Sequence, residues 1–95
     1  MRYLSTRGVA PELNFDDVLI TGLARDGGLY LPTDWPQFSS EDLRAFASLS
    51  YPELAIEVMR PFLGDTIPRE VFGNLVDATY RKFTDPSVAP IKQLE

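Results

Sequence analysis

The sequence has no cysteine and no histidine. This excludes disulfide staples, thiolate zinc sites, cysteine nucleophiles and any triad built on imidazole. Lysine is almost missing as well: only Lys82 and Lys92 occur. An imine-forming lysine needs a desolvated pocket beside an anion-binding loop. Lys82 follows Arg81 near the end of an expected helix, where a cation suits the dipole. Lys92 sits between Ile91 and Gln93 in an extended stretch. Both read as ordinary solvated lysines. Positive charge is the minority, with 9 Lys+Arg against 14 Asp+Glu and a formal net charge of −5. So acidic a chain does not hold polyphosphate by bulk electrostatics, and neither nucleic acid nor an anionic membrane is an expected partner. No apolar run approaches the roughly 18 residues that span a bilayer. The N-terminus MRYLSTRG lacks the apolar centre of a signal peptide. A cytoplasmic protein is expected.

What is present is globular in kind. Of 95 residues, 44% are apolar and 12% aromatic, enough for a core in a single domain over residues 1–95. Short Pro, Gly and Ser signals divide the chain, with no internal repeat. Residues 3–6 read as a brief strand, bounded by Gly8 and Pro11. Asn14 is placed to cap a helix with Asp16 and Asp17 in its first turn. Phe15, Val18, Leu19, Gly22 and Leu23 share one helical face. Gly22 on that face implies close approach of another backbone, and Gly27-Gly28 is expected to end the helix. Asp26 through Pro32 reads as a turn feeding a short strand that stops at proline. Pro32 and Pro36 stiffen the loop that follows, and Trp35 and Phe38 give it apolar bulk to bury.

Three more helices are expected. Ser39 or Ser40 caps the first, with Leu43, Phe46 and Ala47 as its stripe. Ser50 and Glu53 have the spacing of a capping box. Tyr51, Leu54, Ala55, Val58 and Phe62 then line one face, until Pro61 forces a kink or an end near Met59-Arg60. Gly64 is the expected stop. The last helix begins around Thr66 to Pro68, with proline in its first turn, and runs toward Asp85-Pro86. Phe72, Leu75, Val76, Thr79 and Phe83 form its apolar stripe. The tail Val88 to Leu94 reads as a third extended segment, awaiting a strand partner outside this stretch of chain. The fold class is α+β: about four helices packed on a small sheet of two or three short strands.

Two segments offer anion-binding chemistry. Ser5, Thr6 and Arg7 put two hydroxyls and a guanidinium just after a strand, a set that grips phosphate or carboxylate. The alternative is a strand end with a surface arginine. Asp26-Gly27-Gly28 offers backbone N–H groups to an anion, or is simply a tight turn that needs positive φ. The glycine spacing matches neither a dinucleotide nor a P-loop fingerprint. The carboxylate pairs Asp16/Asp17 and Glu41/Asp42 fall in first helical turns, where capping explains them. No catalytic, cofactor-binding or metal-binding residue is assigned. A small hydrolase or transferase using Asp26 and Arg7 is disfavoured for want of histidine.

Taken in order, the segments resemble the N-terminal domain of threonine synthase. The resemblance rests on Tyr3 through Gly8, on Asn14-Phe15 and Asp17, and on the stretch Gly22-Leu-Ala-Arg-Asp-Gly-Gly-Leu-Tyr-Leu-Pro32. Trp35-Pro36, Pro61 through Gly64, Ile67-Pro68 and Ala89-Pro90 follow. The stretch GLARDGGLYLP is the most specific part. The resemblance implies a pyridoxal-phosphate enzyme of fold-type II, a lyase that converts O-phospho-L-homoserine and water into L-threonine and phosphate. In that family the cofactor lysine lies in a Phe-Lys-Asp stretch beyond this domain. Glu95 directly after an apolar stretch looks like a cut. These residues are therefore expected to be non-catalytic alone, with the catalytic domains of their own longer chain as partner. Ser5, Thr6, Arg7, Asp26, Gly27 and Gly28 are the expected contacts at the substrate entrance or with phosphate. A free-standing helical protein-interaction module is the alternative.

Overall fold

The structure, a computed structural model, describes residues 1–95. Three short strands, β1 (Arg2–Ser5), β2 (Leu13–Asn14) and β3 (Tyr30–Pro32), form an antiparallel sheet in the order β2-β1-β3. Four helices follow the connectivity: α1 (Phe15–Thr21), α2 (Ser40–Phe46), α3 (Tyr51–Leu63) and α4 (Arg69–Tyr80). The expected α+β class is therefore found.

Period-two alternation decides the faces of β1. Tyr3 and Ser5 are buried at 7% and 2% exposure, while Arg2 and Leu4 point outward. Across the ladder Tyr3 faces Leu13 and Pro32, and Ser5 faces Tyr30. The Tyr3 ring meets Phe15 of α1 at 6.4 Å between centroids. Its hydroxyl donates to the carbonyl of Phe62 in the last turn of α3. That carbonyl is one of the helix-end acceptors with no partner inside the helix. The main apolar cluster is Ala55 and Leu63 of α3 with Phe72 and Val76 of α4, flanked by Phe15, Ile56, Ile67 and Tyr80.

The caps work as their chemistry requires. The side chains of Asn14, Ser39 and Ser50 accept from the backbone N–H three residues on. At Ser39 the box is reciprocal, because Asp42 also accepts from the Ser39 N–H at 2.8 Å. Gly64 closes α3 at φ 62°, in the left-handed region.

Several expectations are corrected. Gly22 is not a contact glycine inside a helix. It is the C-cap of α1 at φ 71°, and a Cβ built there meets nothing within 4 Å. The helix is therefore capped five residues before Gly27. Pro61 does not end α3, which runs on to Leu63. So near the C-terminus proline withholds only the bond to Glu57, and the turn still closes through Gly64 N–H and the Arg60 carbonyl at 3.3 Å. Pro68 is the N-cap of α4 rather than part of its first turn, and α4 ends at Tyr80, leaving Phe83 beyond it. The tail forms no strand. Asp85 instead folds back on Ser87 through the serine N–H and hydroxyl, and Val88 has φ 64°. The third strand is Leu13–Asn14, too short to show an alternation. Trp35 packs edge-on against Phe62 at 6.2 Å yet stays largely exposed.

Candidate functional site

The two predicted segments meet in space. β1 delivers Ser5 on its buried side, and pairing of β1 with β3 brings the loop ahead of β3 alongside. The Ser5 hydroxyl lies 2.8 Å from both carboxylate oxygens of Asp26. Asp26 also accepts from three backbone N–H groups: Ala10 at 2.9 Å, Gly28 at 2.9 Å and Val9 at 3.1 Å. The side chain of Asp26 thus joins residues 5–10 to its own loop.

Thr6 locks the same corner. Its N–H donates to the Leu29 carbonyl at 2.8 Å, and its hydroxyl accepts from the Leu29 N–H at 2.9 Å. The loop closes on itself through Ala24 N–H to Gly28 carbonyl and Gly27 N–H to Ala24 carbonyl, both 2.9 Å. Gly27 has φ 84°, and a Cβ there would lie 2.7 Å from Nη1 of Arg7. Gly28 has no such torsion but has no room either: a Cβ would press on Ser5 Oγ and lie 2.9 Å from Thr6 Oγ1. Both glycines are therefore required, for two different steric reasons.

The electrostatics follow from this donor set. The N–H of Ala10 does most to hold the Asp26 carboxyl far below the usual carboxylate range, helped by Gly28, Ser5 and Val9 and opposed by partial desolvation. Asp26 is an anion at any ordinary pH. The backbone amides that were expected to greet an external anion are already engaged, Gly28 with the Asp26 carboxylate and Gly27 with Ala24. Arg7 differs. Its Nη1 donates to the Asp26 carbonyl at 3.0 Å, and the rest of its guanidinium is exposed with no protein partner. All six predicted residues are thus neighbours, but Arg7 alone presents free donors of charge. Val9 and Ala10 went unnoticed in the sequence, because they act only through main-chain N–H groups that every non-proline residue has.

None of the five main concavities of the surface is lined by residues 5–7 or 26–28. Lys82 and Lys92 are both exposed and far along the chain from this loop.

Residues 2–80 match the family described as the threonine synthase N terminus. The chain belongs to that family. It is 50% identical over 94 residues to threonine synthase of Pseudomonas aeruginosa, a match covering 99% of this chain and 20% of the relative. It is 46% identical over 81 residues to threonine synthase of Methylobacillus glycogenes, covering 85% of this chain and 17% of the relative. Among solved structures, PLP-bound threonine synthase from Brucella melitensis superposes with a TM-score of 0.92 at 49% identity, over 98% of this chain and 20% of that one. The chain spans about a fifth of the length of these relatives.

Proposed function

We propose that residues 1–95 form the N-terminal domain, non-catalytic by itself, of an enzyme that converts O-phospho-L-homoserine and water into L-threonine and phosphate in the cytoplasm. The observation that carries this reading is the family match over residues 2–80, together with the fifth of each relative that the chain covers. No helix is long and apolar enough to cross a membrane.

Pyridoxal phosphate, bound elsewhere in such an enzyme, supplies the electron sink for carbanion chemistry. The residues in this domain do not fit it. An imine needs a desolvated lysine, and both lysines here are exposed. No chemical step is assigned to this chain.

Its role is to pack on the catalytic domains and shape the substrate entrance. The Ser5-Thr6-Arg7 and Asp26-Gly27-Gly28 corner is the part that faces substrate. Arg7 binds the phosphate or carboxylate, and the other five residues hold it in place. Two features support this. The guanidinium has free donors held over a rigid loop. The corner lines none of the five main concavities, which suits a binding pocket completed by a second wall from another domain. The test is Arg7→Ala and Arg7→Lys in the full-length enzyme, with kcat/KM for phosphohomoserine measured by phosphate release. Loss of a charge-assisted contact is expected to lower kcat/KM by about tenfold or more, with partial rescue by lysine. An unchanged value confines Arg7 to the surface. No phosphate release by the wild-type enzyme sinks the assigned reaction.

A further inference from the structure

The domain exposes more surface than a globular monomer of its mass. A globular monomer of 10.7 kDa exposes about 5,500 Å². This chain exposes 7324 Å², a surplus of about 1,800 Å². Its radius of gyration is 16.1 Å, where about 12 Å is usual for this length. A standard interface removes only about 800 Å² from each partner. The irregular tail after Tyr80 holds part of the surplus, with Ile91 and Leu94 almost wholly in solvent.

The other part lies on α1 and just past its C-cap. This helix has seven residues and buries none of them fully. So short a helix is not stable on its own in water. Leu19, Ile20 and Leu23 stand out at 65%, 86% and 67% exposure. No charge interrupts the run from Val18 to Ala24. The exposed apolar positions of α4, Val71 and Leu75, lie in a similar uncharged run but are better covered, at 49% and 53% exposure. Highly exposed apolar side chains with no charge between them mark the centre of an interface.

We infer that Leu19, Ile20 and Leu23 are the anchor by which this domain docks onto the remaining polypeptide of its own chain. The occupant is argued from size. The same fold accounts for 20% of the Brucella chain it superposes on, so four-fifths more protein stands ready to cover the surplus. The inference rests on the reading above and adds the docking face. Leu23 lies three residues before Asp26, so the anchor sets the Arg7 corner at the seam between domains.

The test uses the full-length protein. Leu19→Gln/Ile20→Gln/Leu23→Gln is compared with a control, Val71→Gln/Leu75→Gln, by limited proteolysis after residue 80 and by size-exclusion light scattering. The three anchor positions are exposed within the domain, so its own circular dichroism is expected to persist. Docking predicts cleavage at least about tenfold faster in the triple variant, from the lost apolar burial, and no change in the control. Unchanged cleavage in the triple variant overturns the inference. So does a change of oligomer mass with cleavage unaltered, which assigns the anchor to a second copy. Phosphate release by wild type is scored separately: its absence removes the assigned reaction and leaves the docking result standing.

Discussion

The Ser5 hydroxyl reaches both oxygens of the Asp26 carboxylate at 2.8 Å, although the residues stand 21 positions apart. That contact, with the amides of Val9, Ala10 and Gly28, makes Asp26 an internal anion in a cradle of donors. Asp26→Asn keeps the shape but turns an NH2 group toward some of those donors, leaving them unmatched. Thermal unfolding is expected several degrees below wild type. Hydrogen exchange at Val9, Ala10 and Gly28 is expected to accelerate. Unaltered exchange at those three amides counts against the cradle.

The same carboxylate predicts an acid limb. Asp26 titrates lower in the folded chain than its unfolded value of about 3.9. The unfolded state therefore takes up the proton first, so the stabilisation is whole above that value and is lost as pH falls below it toward the folded pKa. Urea midpoints of wild type and Asp26→Asn are expected to differ by a constant amount from pH 7 to 5. The gap is expected to narrow below about pH 4. A gap that persists unchanged at pH 2.5 contradicts this account.

Gly28→Ala is expected to destabilise by about 1–3 kcal/mol, because the new methyl overlaps Ser5 Oγ and crowds Thr6 Oγ1. Gly8→Ala is the informative comparison: it is strained by φ 74° but has open space for a Cβ. Chemical denaturation of both separates steric overlap from torsional strain. Equal and small effects would show that the corner can give way.

Tyr3→Phe removes the donor to the Phe62 carbonyl and keeps the ring on Phe15. A loss of about 1 kcal/mol is expected. Burial raises the phenol pKa of Tyr3, so ultraviolet titration offers a second check: the Tyr3 phenol is expected to ionise above the usual tyrosine range in the wild type.

Ser39→Ala removes one half of the reciprocal cap on α2. About 1 kcal/mol of stability is expected to go with it. Local exchange at Asp42 and Leu43 is the direct readout, since α2 buries no residue of its own and depends on its caps.

Local chemistry was legible in the sequence wherever a side chain acts on its own neighbourhood. Asn14 and Ser50 cap three residues ahead and Gly64 turns left-handed at a helix end, as their spacing predicts; for α2 spacing leaves Ser39 and Ser40 open, and the structure selects Ser39. Both halves of the corner were visible as separate motifs. Their meeting was not, because it depends on β1 pairing with β3 across a span that periodicity does not see. The sequence presents Asp26 and its glycines as a host for an anion, whereas in the fold Asp26 is itself the anion that the amides hold. The end of α1 was misplaced since Gly22 falls on the apolar repeat and still serves as a cap. The apolar tail reads as an extended segment, but an extended segment becomes a strand only where another strand pairs with it.

The bond from Tyr3 to Phe62 spans 59 residues. During synthesis the first strand has its ladder partners once residue 32 is made, whereas its tyrosine hydroxyl gains this acceptor only after the end of α3 has left the exit tunnel. The tie between sheet and helix is therefore the late one, not the sheet itself.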